Sequence, residues 1–139
     1  MPKYETHIRS VAEHLQSYET LDDECIRAKS ILLFYAGMHI IEAVAKATDD
    51  LDFQHHSARS RFMHDRHRKE SRHYHNLYDI GYQARYMPQK LSVGRVEDLD
   101  NHYKSKIIDK CLFVWAARVL DKPDFKNEVF DSVVLAESI

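Results

Sequence analysis

The chain has 139 residues, a formal charge of −2, and 44% hydrophobic and 11% aromatic residues, which suits one domain with one core, since domains cluster at roughly 100–150 residues. Only 3 Gly and 3 Pro occur, too few to punctuate the many short strands of a sandwich or barrel, so helices are expected. The 2 cysteines, Cys25 and Cys111, exclude a disulfide scaffold or zinc ribbon and, lying in apolar helical patterns, are expected to be buried thiols in a reducing compartment.

Along residues 4–17, Ile8, Val11, Ala12 and Leu15 recur three or four apart, the stripe of an amphipathic first helix. Thr20, followed by Leu21, Asp22 and Asp23, has the form of an N-cap, because a hydroxyl can accept an orphan amide bond while early carboxylates complement the helix dipole. A second helix should start there and run to Thr48, and its centre from Ile31 to Val44 is apolar almost all round, as a core helix must be. After the polar DDLDFQHH connection, residues 57–86 read as a third helix with Phe62, Met63, Leu77, Tyr78, Ala84 and Tyr86 facing inward. MPQKLSVG contains a Pro and a Gly and reads as a loop. From there Val96, Leu99, Tyr103, Ile107, Cys111, Trp115 and Val119 define the clearest helix of the chain, ended by Lys122-Pro123.

The expected fold is all-α, an antiparallel up-and-down four-helix bundle over residues 1–122. The acidic segment 123–139 is expected to be either a short extra helix through Val129, Val133 and Leu135 or a partly ordered tail. Neither an apolar signal core nor an uninterrupted apolar run is present, so a cytoplasmic protein without membrane contact is expected.

Charge and histidine concentrate in one place. Six of the 10 histidines lie between residues 55 and 75, and that stretch carries Arg59, Arg61, Arg66, Arg68, Lys69 and Arg72 against Asp65 and Glu70, a net +4 in a chain of −2. Such a local positive field attracts phosphate or an acidic partner; the alternative is an ordinary solvated helix face. Tyr74, Tyr78, Tyr82 and Tyr86 recur every four residues, a stripe suited to stacking on unpaired bases beside basic residues or to core or dimer packing.

Metal chemistry finds weaker support. His39 lies three residues before Glu42 on one helix face, which fits a core histidine bonded to Glu42 or a tyrosine better than a ligand. The set needed for a carboxylate-bridged di-iron bundle is incomplete, with Glu70-Ser71-Arg72-His73 its single Glu-x-x-His motif. His64-x-x-His67 and His73-x-His75 are surrounded by arginines that oppose a cation. No metal and no cofactor are therefore expected. A Gly-rich phosphate loop and a serine nucleophile are also missing from the pattern.

Three strings in order resemble the HEPN domains, small helical bundles associated with nucleic-acid processing. They are FYAGMHIIEAV with Phe34, Tyr35, Ala36 and His39; His56-Ser57-Ala58-Arg59; and the segment with Tyr74, Leu77, Tyr78, Ala84, Arg85 and Tyr86. The resemblance covers roughly residues 20–120. It implies an RNA- or nucleotide-binding protein of a prokaryotic defence, toxin–antitoxin or RNA-processing system, commonly a homodimer. Many such proteins cleave RNA without metal, using an arginine, four to six intervening residues and a histidine; others are partners of small nucleotidyltransferases.

That pattern fits Arg59 with His64, Arg61 with His67, and Arg68 with His73, and the chemistry is apt because histidine titrates near neutrality and arginine stabilises phosphorane charge. The candidate catalytic residues are thus Arg59, His64, Arg68 and His73. The RNA- or phosphate-binding candidates are Arg61, Arg66, Lys69, Arg72, Arg85, Tyr78 and Tyr82. One departure stands out: active relatives carry the motif late in the third helix, and here no histidine follows Arg85 until His102.

Overall fold

The computed structural model describes residues 3–138, with side chains to residue 134. Those residues are all-helical, without a strand: α1 (Tyr4–Thr20), α2 (Ile26–Asp49), α3 (His56–Arg66), α4 (Arg68–Tyr86), a long α5 and α6 (Phe125–Ser138). The α5 rod is continuous through Val96–Asp98, Leu99–Leu112 and Phe113–Val119, its middle section winding in wider i→i+5 turns.

The apolar patterns account for the packing. Ile8, Val11, Ala12 and Leu15 are all buried on α1, and Leu33, Phe34, Ala36, Ile40, Ile41, Ala43 and Val44 are buried on several sides of α2. This central helix lies against α1, α4 and α5. By length and composition α2 could also cross a membrane, with a mean hydropathy of 1.3 over its most apolar window. Here that surface forms the bundle core. On α5, Leu99, Ile107 and Trp115 are buried as the spacing predicts, whereas Tyr103 and Cys111 are half-buried and Ile108, Leu112 and Phe113 join the core. Wider turns carry fewer degrees per residue, so a stripe counted at 3.6 residues drifts off the inward face.

Several boundaries differ from the sequence pattern. Thr20 closes α1 rather than opening α2, its hydroxyl donating to the Ser17 carbonyl at 3.1 Å, and α2 begins after Cys25. The stretch 57–86 is two helices, because His67 takes φ −139° and ψ 56°. The described residues therefore form six helices where four, with a possible short fifth at the C-terminus, were expected. Tyr86, expected inside, is 63% exposed at the last residue of α4. Both cysteines are half-buried rather than buried.

The C-terminal segment forms a helix that packs on α1 through buried Phe125, Val129 and Val133; the side chain of Leu135 lies outside the described residues. Polar ties reinforce the apolar ones. The Tyr18 hydroxyl donates to Asp100 of α5 and the Tyr4 hydroxyl to Glu128 of α6.

A candidate nucleic-acid interface beside a buried histidine cluster

α3 and α4 meet at the His67 kink and turn polar faces toward each other, and an open groove of about 920 Å³ lies between them. Arg61 and His64 of α3 face Arg68, Arg72 and His75 of α4 across it, with Ser57, Ser60 and Ser71 on its floor and walls. Other arginines nearby are engaged: Arg59 with Glu42 at 3.4 Å, Arg66 with Asp49 at 2.6 Å and Arg118 with Glu70 at 2.9 Å. Among the described residues Arg61, Arg68 and Arg72 form no ion pair, and against the single lining carboxylate, Asp65 beside His64, their field in the groove is positive.

At His56 the groove meets a second cavity of about 450 Å³, which is aromatic. Phe34 and Tyr35 of α2 and Tyr78, Tyr82 and Tyr86 of α4 line it with Arg59 and Arg85. The four-residue spacing of the tyrosines produces a gradient along α4: Tyr74 is buried, Tyr78 half-buried, and Tyr82 and Tyr86 are 41% and 63% exposed. Arg85 lies over Phe34 and Tyr86, 4.9 and 5.0 Å from the ring centroids, which holds its guanidinium at the cavity wall.

A chain of polar contacts leads inward from this cavity. Arg59 donates through Nε to the Tyr74 hydroxyl at 3.3 Å and lies within 3.4 Å of Glu42 Oε1 through its terminal nitrogen. Since arginine only donates, the Tyr74 proton is free for His56 Nδ1, 3.2 Å away. Burial and the charge of Arg59 push the His56 pKa down to about 4, so its ring is neutral at pH 7 and stays the acceptor. Tyr74 is itself pushed well above the usual phenol range, mainly by burial.

Behind Arg59, the second oxygen of Glu42 faces two histidines. His7 of α1 and His39 of α2 bring their Nδ1 atoms within 3.0 Å, and Glu42 Oε2 lies 3.4 Å from the first and 3.7 Å from the second. Burial lowers the pKa of both, that of His39 to about 4. It also raises that of Glu42, against the pull of Arg59. His14 stacks on the far side of His39, centroids 5.6 Å apart.

The structure separates the three sequence-matched arginine–histidine pairs. Five residues along a helix is a rotation of about 140° beyond a full turn, so Arg59 points to the buried Glu42 while His64 faces the groove. Arg68 likewise lies in the groove while His73 points to a third cavity with Lys69, Lys106 and Trp115. His67, at the kink, packs between Phe62 and Trp115 rather than beside Arg61. The groove does bring Arg61, His64, Arg68 and Arg72 together, and the aromatic cavity holds Arg85, Tyr78 and Tyr82. Arg66 lies outside both, over Phe62 and on Asp49.

Sequence spacing missed His75 and His56 as groove and cavity residues, although each belongs to a cluster or string visible in the chain, whereas Tyr86 stood in the tyrosine stripe. His7 had no such signal. The molecule is thus an all-α bundle with a basic, aromatic-edged face. The chain matches no family model, no curated protein and no solved structure.

Proposed function

We propose that the α3–α4 face binds single-stranded RNA, in keeping with the HEPN resemblance. The observation that carries this reading is the junction at His56 of a groove with three unpaired arginines and a cavity walled by Tyr78, Tyr82 and Tyr86. A single strand needs both parts: cations that track its phosphates and faces on which unpaired bases stack. The phosphates lie along Arg61, Arg68 and Arg72, and one or two bases turn into the aromatic cavity against Tyr82 and Tyr86, with Arg85 stacked among them.

The test is fluorescence anisotropy of a labelled RNA oligonucleotide across a salt series. Neutralising about three phosphates predicts a logarithmic salt slope of roughly −2 for a single strand. Arg68→Ala/Arg72→Ala should reduce that slope and weaken binding to all sequences alike. A wild-type chain that binds no RNA at low salt rejects the reading.

Metal-independent cleavage is the second reading, favoured by the placement of His64 beside Arg61 and Arg68 in the same groove. There the imidazole would move the 2′-OH proton and an arginine would stabilise the phosphorane. Product on a gel in the presence of chelator, lost in His64→Ala, supports it; full cleavage by His64→Ala removes it.

A further inference from the structure

We propose that His7, His39 and Glu42 form a binding site for one divalent transition-metal ion of the zinc type, joining α1 to α2. The three donor atoms come from two helices and all lie within 4.8 Å of one another. Their separations of 3.0, 3.4 and 3.7 Å bracket the spacing of about 3.3 Å between ligands of a tetrahedral ion with bonds near 2.0–2.1 Å. A point about 2.0 Å from each of them therefore exists, with a fourth position left for water.

Hydrogen bonding alone serves this cluster poorly. The Nδ1 atoms of His7 and His39 face each other, so one proton at most lies between them, and Glu42 Oε2 competes for the same proton. Three potential ligand atoms thus gather around one point with a single hydrogen shared between the two rings, an arrangement a cation can occupy.

The nearby positive charges are accounted for. Arg59 lies against the other oxygen of Glu42, where it fixes the carboxylate as an outer partner does in metal sites. Lys46 is tied to Asp50 and Asp52 at 2.9 and 3.0 Å. Asp52 adds negative field at His7, and its Oδ1 is buried without a hydrogen-bond partner. His39 retains 20% side-chain exposure, which gives an ion a way in. Borderline-soft imidazole with one carboxylate favours zinc over calcium or magnesium.

The experiment strips the full-length chain with chelator, titrates it with cobalt(II) as a spectroscopic probe and competes zinc against a chromophoric chelator. The expected result is one equivalent bound, with the visible absorption of tetrahedral cobalt and a raised thermal midpoint. His7→Gln and Glu42→Gln should each weaken that equivalent by roughly tenfold or more, and His64→Ala/His75→Ala, in the solvent-facing groove, should leave it unchanged. In the wild-type chain, zinc should shift the Nδ1 resonances of His7 and His39 in imidazole NMR, a readout that does not depend on any variant folding. Absence of stoichiometric binding, or loss of the first equivalent in His64→Ala/His75→Ala with the His7 and His39 resonances unmoved, overturns the proposal.

Discussion

His56 and Tyr78 stack face to face, with ring centroids 3.4 Å apart and planes 5° from parallel. The contact joins the first residue of α3 to the middle of α4 at the point where the basic groove and the aromatic cavity meet. It also holds an imidazole where charging is unfavourable, between Arg59, Arg85 and a buried tyrosine.

Protonation of such histidines sets how the fold responds to acid. Burial lowers the pKa of His7, His14, His39, His56, His67 and His73 below the ordinary 6.5. The unfolded chain therefore takes up protons first as pH falls, so stability is fullest above about 6.5 and declines toward the folded values, about 4 for His39 and His56. Glu42 runs the other way, its raised pKa costing stability as pH rises through it, but it is one group against six. Urea unfolding of the metal-free chain at a series of pH values should show stability rising with pH between 4.5 and 6.5, with a slope near pH 5.5 of on the order of two protons from His39 and His56 alone. A flat profile across that interval would show these rings to be solvated.

Arg59 and Glu42 are each 8% exposed, so either one alone is a buried charge without its partner. Arg59→Ala should destabilise the chain by about 3 kcal/mol, and adding Glu42→Gln should recover part of that loss. Chemical denaturation of the two single variants and the double variant measures the coupling. Additive losses would mean that water already screens the pair.

The helices were legible where one face is apolar. Ile8 to Leu15 need only a 3.6-residue period, and burial follows it closely, whereas on α5 the same count finds Leu99, Ile107 and Trp115 but slips at Tyr103 and Cys111. The kink at His67 was not legible, because no Gly or Pro marks it and residues 64–73 are so polar that no stripe exists to be interrupted. The basic groove was visible as a charge cluster, since Arg61, Arg68 and Arg72 need only be near one another in sequence. The arginine–histidine pairs were misleading for a geometric reason: spacings of five or six residues place two side chains on different faces once the segment is helical. His7 was invisible as a neighbour of His39, being 32 residues away on another helix, and only the packing of α1 on α2 brings the two together.

The packing of α4 on α2 leaves no room at two glycines. A Cβ at Gly81 would lie 2.6 Å from Cβ and Cγ of Phe34, and one at Gly37 would lie 2.3 Å from Cδ2 of Leu77. The first clash is with atoms fixed close to the α2 backbone, whereas the second is with the free end of a leucine that can turn. Gly81→Ala should therefore destabilise by about 1–3 kcal/mol despite alanine's better helix propensity, and Gly37→Ala by less. Equal losses in urea denaturation would mean that Leu77 is as tightly held as Phe34.

The exposed tyrosines separate ligand binding from self-association. Tyr82 and Tyr86 meet at a tilt of 55° with centroids 5.0 Å apart, yet both are exposed, so removing either costs the isolated fold little, within about 0.5 kcal/mol. If bases stack there, Tyr82→Ala and Tyr86→Ala should each weaken RNA binding by about 1–3 kcal/mol, with the salt slope unchanged because no phosphate contact is lost. If instead these rings are the seam of a homodimer, sedimentation should show the wild-type chain as a dimer and both variants as monomers, with RNA affinity falling only as the dimer dissociates. Measuring anisotropy and sedimentation on the same samples decides between them, since stacking predicts weaker binding at an unaltered oligomeric state.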